Sequence, residues 1–219
     1  MSLDFERARF NMVECQVRTW EVLDQRVLDV LRQVKREDYV PARYRKLAFA
    51  DVQIPLEQGE VMMKPVVEGR MLQALQLAPE SCVFEIGTGS GFVTACLGQL
   101  AREVLSVEQH ATLAERARAR IAATGAANVR IEVGDAVSKF DPNRQFDAVC
   151  VTGAVAQVPE RFKRWLRVGG RMFVIRGEAP AMEAVLITRL ENDQFQEESL
   201  FETDLPYLAH AAPRKRFAV

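Results

Sequence analysis

A strand-like run, Cys82 to Ile86, hands over to the turn Glu85-Ile86-Gly87-Thr88-Gly89-Ser90-Gly91, and a helical pattern follows from Phe92 to Leu100. In that context glycines let the backbone turn tightly and approach a ligand that any Cβ would push away. A second acid, Glu108, ends the next strand-like run roughly 20 residues beyond the first glycine, the spacing at which a carboxylate meets a ribose diol. Gln109 follows it directly. Gly134-Asp135-Ala136 closes a third such run, where a carboxylate can accept a hydrogen bond from an exocyclic adenine amine. Together these residues have the chemistry to hold a nucleoside.

Two details choose among nucleoside cofactors. A dinucleotide site wants GxGxxG with a helix N-terminus facing a pyrophosphate, whereas here the spacing is GxGxG and Gly91 is followed by Phe92 and Val93. An acid just before the turn, Glu85, repels a pyrophosphate and suits the ammonium of an amino-acid moiety. Both favour S-adenosyl-L-methionine over NAD.

The elements that must position these residues follow from periodicity. Phe5, Ala8, Met12, Cys15 and Thr19 recur at helical spacing between Asp4 and Thr19. A second helix is expected from Val22 to Val34, with Val22, Leu23, Val27, Val30, Leu31 and Val34 on one face and Pro41 beyond its end. A short extended run from Asp51 to Pro55 precedes a helix that starts at Pro65 and reaches Leu77. From residue 82 strands and helices alternate: strands at 103–108, 129–133 and 146–152, helices at 111–124 and 159–166, a turn at Gly169-Gly170, a strand at 171–176, and an antiparallel edge at 184–189 and 198–201. That is an α/β fold with a mostly parallel sheet and helices on both faces.

Composition bounds the function. The 219 residues carry 29 Lys+Arg against 30 Asp+Glu, so no bulk charge draws the chain to nucleic acid or anionic membrane. The longest apolar runs fall short of the ~18 residues that would span a bilayer, and the N-terminal stretch is charged where a secretory leader is apolar. Cys15, Cys82, Cys96 and Cys150 show no metal-ligand spacing and are expected to be buried free thiols in a reducing cytoplasm. No acidic cluster beyond the cofactor acids suggests a metal. His110 sits in the turn after the second of these strands and is expected to border the adenosine pocket or solvent; the other histidine, His210, is near the tail. Arg161, Lys163, Arg164 and Arg167 are expected to form a solvated face, and Pro213-Arg214-Lys215-Arg216 a frayed tail.

The motifs VFEIGTGSGF, VLSVE, GDA and FDAVCVTGAV resemble those of class I S-adenosylmethionine-dependent methyltransferases. Outside them, Val34-Lys35-Arg36-Glu37-Asp38-Tyr39-Val40-Pro41, Ile54-Pro55-Leu56 with Gln58-Gly59, Thr152-Gly153-Ala154 with Val158-Pro159, and Leu205-Pro206-Tyr207-Leu208 resemble the protein-L-isoaspartate O-methyltransferases over nearly the whole chain. The resemblance implies a Rossmann-like domain at 81–219 with a seven-stranded sheet and an N-terminal helical extension at 1–80, forming one globular unit. It implies S-adenosyl-L-methionine held by Glu85, Gly87, Thr88, Gly89, Ser90, Gly91, Glu108, Gln109, Gly134, Asp135 and Ala136. It also implies methyl esterification of isoaspartyl carboxylates in damaged proteins.

One departure concerns the acceptor side, expected at Met62, Met63, Pro65, Thr152 and Gly153. The family's active-site serine, in Thr-Ile-Ser-x-Pro, is matched by Met63 in Val61-Met62-Met63-Lys64-Pro65, and a thioether cannot donate a hydrogen bond. No residue is therefore assigned as catalytic. A different protein or small-molecule acceptor, and a cofactor-binding module without turnover, remain as alternatives.

Overall fold

The structure is a computed structural model that describes residues 4–213. The basic tail residues Arg214, Lys215 and Arg216 lie outside the described residues. α1 (Phe5–Met12) starts at Asp4, whose side chain accepts the Arg7 N–H, and the chain continues through a π turn (Val13–Val17) into a 3₁₀ turn ending at Trp20. α2 (Gln25–Gln33) is capped the same way by Asp24, so Leu23 precedes the helix and is 71% exposed, while Leu28 takes an inward position. β1 (Ile54–Pro55) and β2 (Val61–Met62) form a small antiparallel ladder. α3 (Pro65–Leu75) follows, with Pro65 at its first position.

The main sheet comprises β3 (Cys82–Ile86), β4 (Glu103–Glu108), β5 (Val129–Val133), β6 (Phe146–Val155), β7 (Leu166–Glu178), β8 (Ala181–Arg189) and β9 (Phe195–Thr203), in the order β5-β4-β3-β6-β7-β8-β9. The first five strands run parallel; β8 and β9 add antiparallel to the edge. Gly169-Gly170 does not end a helix–strand connection as the sequence suggested. β7 already starts at Leu166, and the glycines form an irregularity inside it, where pairing jumps from Phe146↔Leu166 to Ala148↔Arg171.

Strand alternation splits the core in two. Val83, Ala148, Cys150 and Phe173 face α1 to α3 together with α4 (Phe92–Leu100) and α5 (Ala111–Ala123). The N-terminal helices therefore share buried apolar contacts with the sheet. Phe84, Phe146 and Val149 face the other way, toward Phe162 of the short α6 (Glu160–Arg164) and Trp165. No helix joins β5 to β6, so aromatics close that thinner side, with Phe84 5.2 Å from Phe146 and 5.1 Å edge-on from Trp165.

Two surface expectations change. Cys82, Cys96 and Cys150 are buried, but Cys15 is exposed because the π turn rotates it off the inward face. The expected solvated face at the α6 region holds for Arg164 and Arg167, which are exposed, but not for the other two: Arg161 donates to the carbonyls of Val137 and Phe140 over the Trp165 ring, and Lys163 pairs with Glu160 and Glu197.

Candidate functional site

β3 and β6 are neighbours, yet the chain leaves β3 toward β4 on one side and returns to β6 on the other. The connections diverge there and leave a crevice beyond the strands' C-terminal ends, the usual ligand site of such sheets. A cleft enclosing about 840 Å³, its open mouth included, lies at that point. The turn after β3 supplies one wall through Gly87, Thr88, Gly89 and Ser90; Glu108 and Gln109 follow β4; Gly134, Asp135 and Ala136 follow β5; Thr152 and Gly153 come from β6. Met62 and Met63 close one side, and Leu205, Pro206 and Leu208 another.

The turn takes its shape from glycine. Gly87 has φ +94°, and a Cβ there would sit 2.4 Å from Thr152 Oγ1, which bonds the Gly87 carbonyl at 2.5 Å and the Ile86 carbonyl at 2.9 Å. Glu108 then fixes the turn from β4. Its Oε2 accepts the Gly89 N–H at 2.8 Å and its Oε1 the His110 N–H at 2.9 Å. Each oxygen keeps a lone pair for a ribose hydroxyl. Asp135 lines the far end while capping its own turn: Oδ1 accepts the Val137 and Ser138 N–H groups, and His210 Nε2 stands 3.6 Å from Oδ2.

Three residues named from the sequence do not line the cleft. Gly91 caps α4, and a Cβ there would lie 3.1 Å from Ala117 of α5. Pro65 starts α3. Glu85 is fully buried behind the turn, where Oε2 accepts from Thr94 Oγ1 and Ser106 Oγ, both at 2.6 Å, while Oε1 has no partner. Ser106 Oγ is 2.5 Å from Thr88 Oγ1. With Ser106 donating to Glu85, Thr88 must donate to Ser106, so Glu85 props the turn through two hydroxyls and does not itself reach the ligand space. Burial pushes its carboxyl up to about 8.

Sequence reasoning missed Glu60 and Glu68. Glu60 stands 3.3 Å from His110 Nε2. Glu68 is 1% exposed and bonded to Arg36, which is itself fully buried; desolvation raises the Glu68 carboxyl to about 7 against the pull of Arg36. Its signal was an acid in the otherwise apolar start of α3, Pro65-Val66-Val67-Glu68. The charge of the cleft is thus one-sided. Glu60, Glu68, Glu108 and Asp135 line it, with no Lys, Arg or His among the described lining residues. Such walls repel a pyrophosphate and favour a ligand that carries positive charge. S-adenosyl-L-methionine, a nucleoside with a sulfonium and an ammonium, fits that chemistry.

The sheet order, the glycine turn and the acidic cleft define a Rossmann-like class I methyltransferase. The fold matches a Plasmodium falciparum protein of the isoaspartate O-methyltransferase designation, crystallised with S-adenosyl-L-homocysteine, at TM-score 0.77 and 18% identity over 91% of this chain and 97% of that one. A second solved protein-L-isoaspartate O-methyltransferase superposes at TM-score 0.76 and 21% identity, covering 92% of this chain and 65% of the other. At the sequence level, the profile of the protein-L-isoaspartate(D-aspartate) O-methyltransferase family matches residues 9–205, and the chain belongs to that family. Curated relatives of that name include one from Petrotoga mobilis, 35% identical over 90% of this chain and 92% of its own length. Another, from Methylorubrum populi, is 36% identical over 87% and 90%.

Proposed function

We propose that the protein methyl-esterifies isoaspartyl carboxylates of damaged proteins or peptides with S-adenosyl-L-methionine as donor. The observation that carries this is the family match, which spans the helical extension and the cofactor domain alike. Bound in the cleft, the cofactor supplies an electrophilic methyl group whose transfer to a carboxylate oxygen leaves a neutral thioether. Glu108 would hold the ribose and Asp135 the adenine, with Gly87 and Gly89 giving the backbone room to approach.

No general base is required, because a carboxyl group of ordinary pKa about 4 is already ionised at neutral pH. What the chain contributes at the acceptor side is alignment and exclusion of water. Met62 and Met63, 4% and 3% exposed, and Leu205 form apolar walls there. The C-terminal segment is fixed in place by its pairing with β6: the Ala154 N–H donates to Pro206 O at 2.9 Å, and the Leu208 N–H to Ala154 O at 2.8 Å. The four cysteines form no disulfide, which supports a cytoplasmic setting.

A second reading is favoured by Met63, which puts a thioether where the family's serine would orient the acceptor: a different, more apolar acceptor in the same cleft. The test uses methyl-labelled S-adenosyl-L-methionine with two peptides that differ only in isoaspartate against aspartate. Base-labile label on the isoaspartyl peptide alone is the expected result. No label on either, in a preparation that binds S-adenosyl-L-homocysteine, would overturn the isoaspartyl assignment and favour the second reading.

A further inference from the structure

We infer that Glu68, rather than Glu85, is the carboxylate that receives the α-ammonium group of the cofactor, an assignment that rests on the cofactor reading above. Each of the four acids of the cleft has a different commitment. Glu108 has both oxygens on backbone N–H groups in the middle of the site. Asp135 caps its own turn at the far end. Glu60 is partly exposed beside His110. Glu68 alone is deeply buried and still incompletely bonded: Oε2 is held by Arg36 Nη1, while Oε1 has no hydrogen-bond partner among the described residues.

Arg36 holds the Glu68 carboxylate in place. Its Nε donates to Ala48 O and its Nη2 to Met63 O, each at 2.8 Å, and its guanidinium lies 4.8 Å from the centroid of the Phe92 ring. Arg36 is fully buried and is not part of the cleft wall, so it orients Glu68 from behind and leaves one oxygen for a donor arriving from the cleft. Glu68 lines the cleft, and among the described lining residues there is no Lys, Arg or His to pair with that oxygen. An ammonium group on the ligand would supply a charge-assisted donor to it. Glu108 and Asp135 account for the nucleoside, which leaves the amino-acid part for the side of the cleft where Met63, Phe92 and Glu68 gather around Arg36. Glu85 cannot serve, since Thr94 and Ser106 enclose it behind the turn. Burial pushes the free Glu68 carboxyl up to about 7, and an ammonium beside it would draw it back toward the ionised form.

Isothermal titration of the full chain with two ligands tests this. S-adenosyl-L-homocysteine carries the amino-acid part, and 5′-methylthioadenosine has the same nucleoside and thioether without it. Glu68→Gln should weaken S-adenosyl-L-homocysteine by at least about tenfold, the fold-change of a lost charge-assisted hydrogen bond, and leave 5′-methylthioadenosine within about twofold. If Glu68→Gln does not fold, the wild type titrated with S-adenosyl-L-homocysteine and its deaminated analogue should show the same tenfold gap. Equal loss of both ligands, no loss of either, a selective loss in Glu85→Gln instead, or no gap with the deaminated analogue overturns the assignment. The cofactor reading survives these outcomes as long as the wild type binds 5′-methylthioadenosine. Failure of the wild type to bind either ligand overturns both.

Discussion

Replacing Glu108 by Gln removes one charge and almost no volume. Both Glu108 oxygens accept backbone N–H groups, from Gly89 and His110. A glutamine has one carbonyl oxygen, so its NH₂ must point at one of these two N–H donors, and that donor loses its partner. Leaving a partly buried N–H unpaired costs about 1 kcal/mol, the low end of the range for a lost partner, which should appear as lost stability of the apo protein. The same change removes a charged acceptor facing the ribose, worth about 1.5–3 kcal/mol, or roughly 10- to 150-fold in affinity. Titration with S-adenosyl-L-homocysteine reads the second effect and urea unfolding of the apo protein the first. Glu108→Gln binding within about threefold of wild type would refute the placement of the ribose at Glu108. Unchanged stability would refute its role in fixing the turn.

Gly87→Ala should destabilise the protein by about 2–4 kcal/mol, since a Cβ meets Thr152 Oγ1 at 2.4 Å and the backbone is left-handed; Thr152→Ala in the same chain should recover part of that loss, and strict additivity in urea unfolding would contradict the clash. Glu85 sets a pH dependence. Its carboxyl is raised from the ordinary range to about 8, so the folded state binds the extra proton and stability falls as pH rises from about 4.5 to 8, by at most about 1.4 kcal/mol per pH unit. Glu85→Gln should flatten that slope between pH 6 and 8, and an unchanged slope in urea unfolding would show that Glu85 is not the group. Met63→Ser should raise kcat/KM for an isoaspartyl peptide about tenfold or more while lowering Tm, because a hydroxyl replaces a buried thioether. A fall in Tm without a gain in rate would point to a repurposed acceptor site.

The parallel sheet was legible because buried strands and amphipathic helices alternate at lengths that leave little ambiguity from Cys82 to Val133. The glycine turn and Glu108 were legible because a strand-to-helix handover restricts what such residues can do. Three things were not. The direction of Glu85 depends on which face of β3 position 85 takes, and an all-apolar strand buried on both sides, Cys82-Val83-Phe84 before Glu85, carries no alternation to show it. Glu68 was hidden because its partner Arg36 comes from a 3₁₀ turn (Arg36–Asp38) 32 residues earlier, and no local pattern pairs them. The C-terminal wall of the cleft arises from a long-range parallel bridge between Ala154 and Tyr207, which periodicity within either segment does not encode.

A one-sidedly acidic cleft at the β3–β6 divergence selects a cationic nucleoside cofactor over an anionic one. Isothermal titration of the wild type with S-adenosyl-L-methionine and, separately, with NAD measures it most directly. Saturable binding of S-adenosyl-L-methionine at one site per chain, with no binding of NAD, is the predicted result. Saturable NAD binding, or none by S-adenosyl-L-methionine, would contradict it.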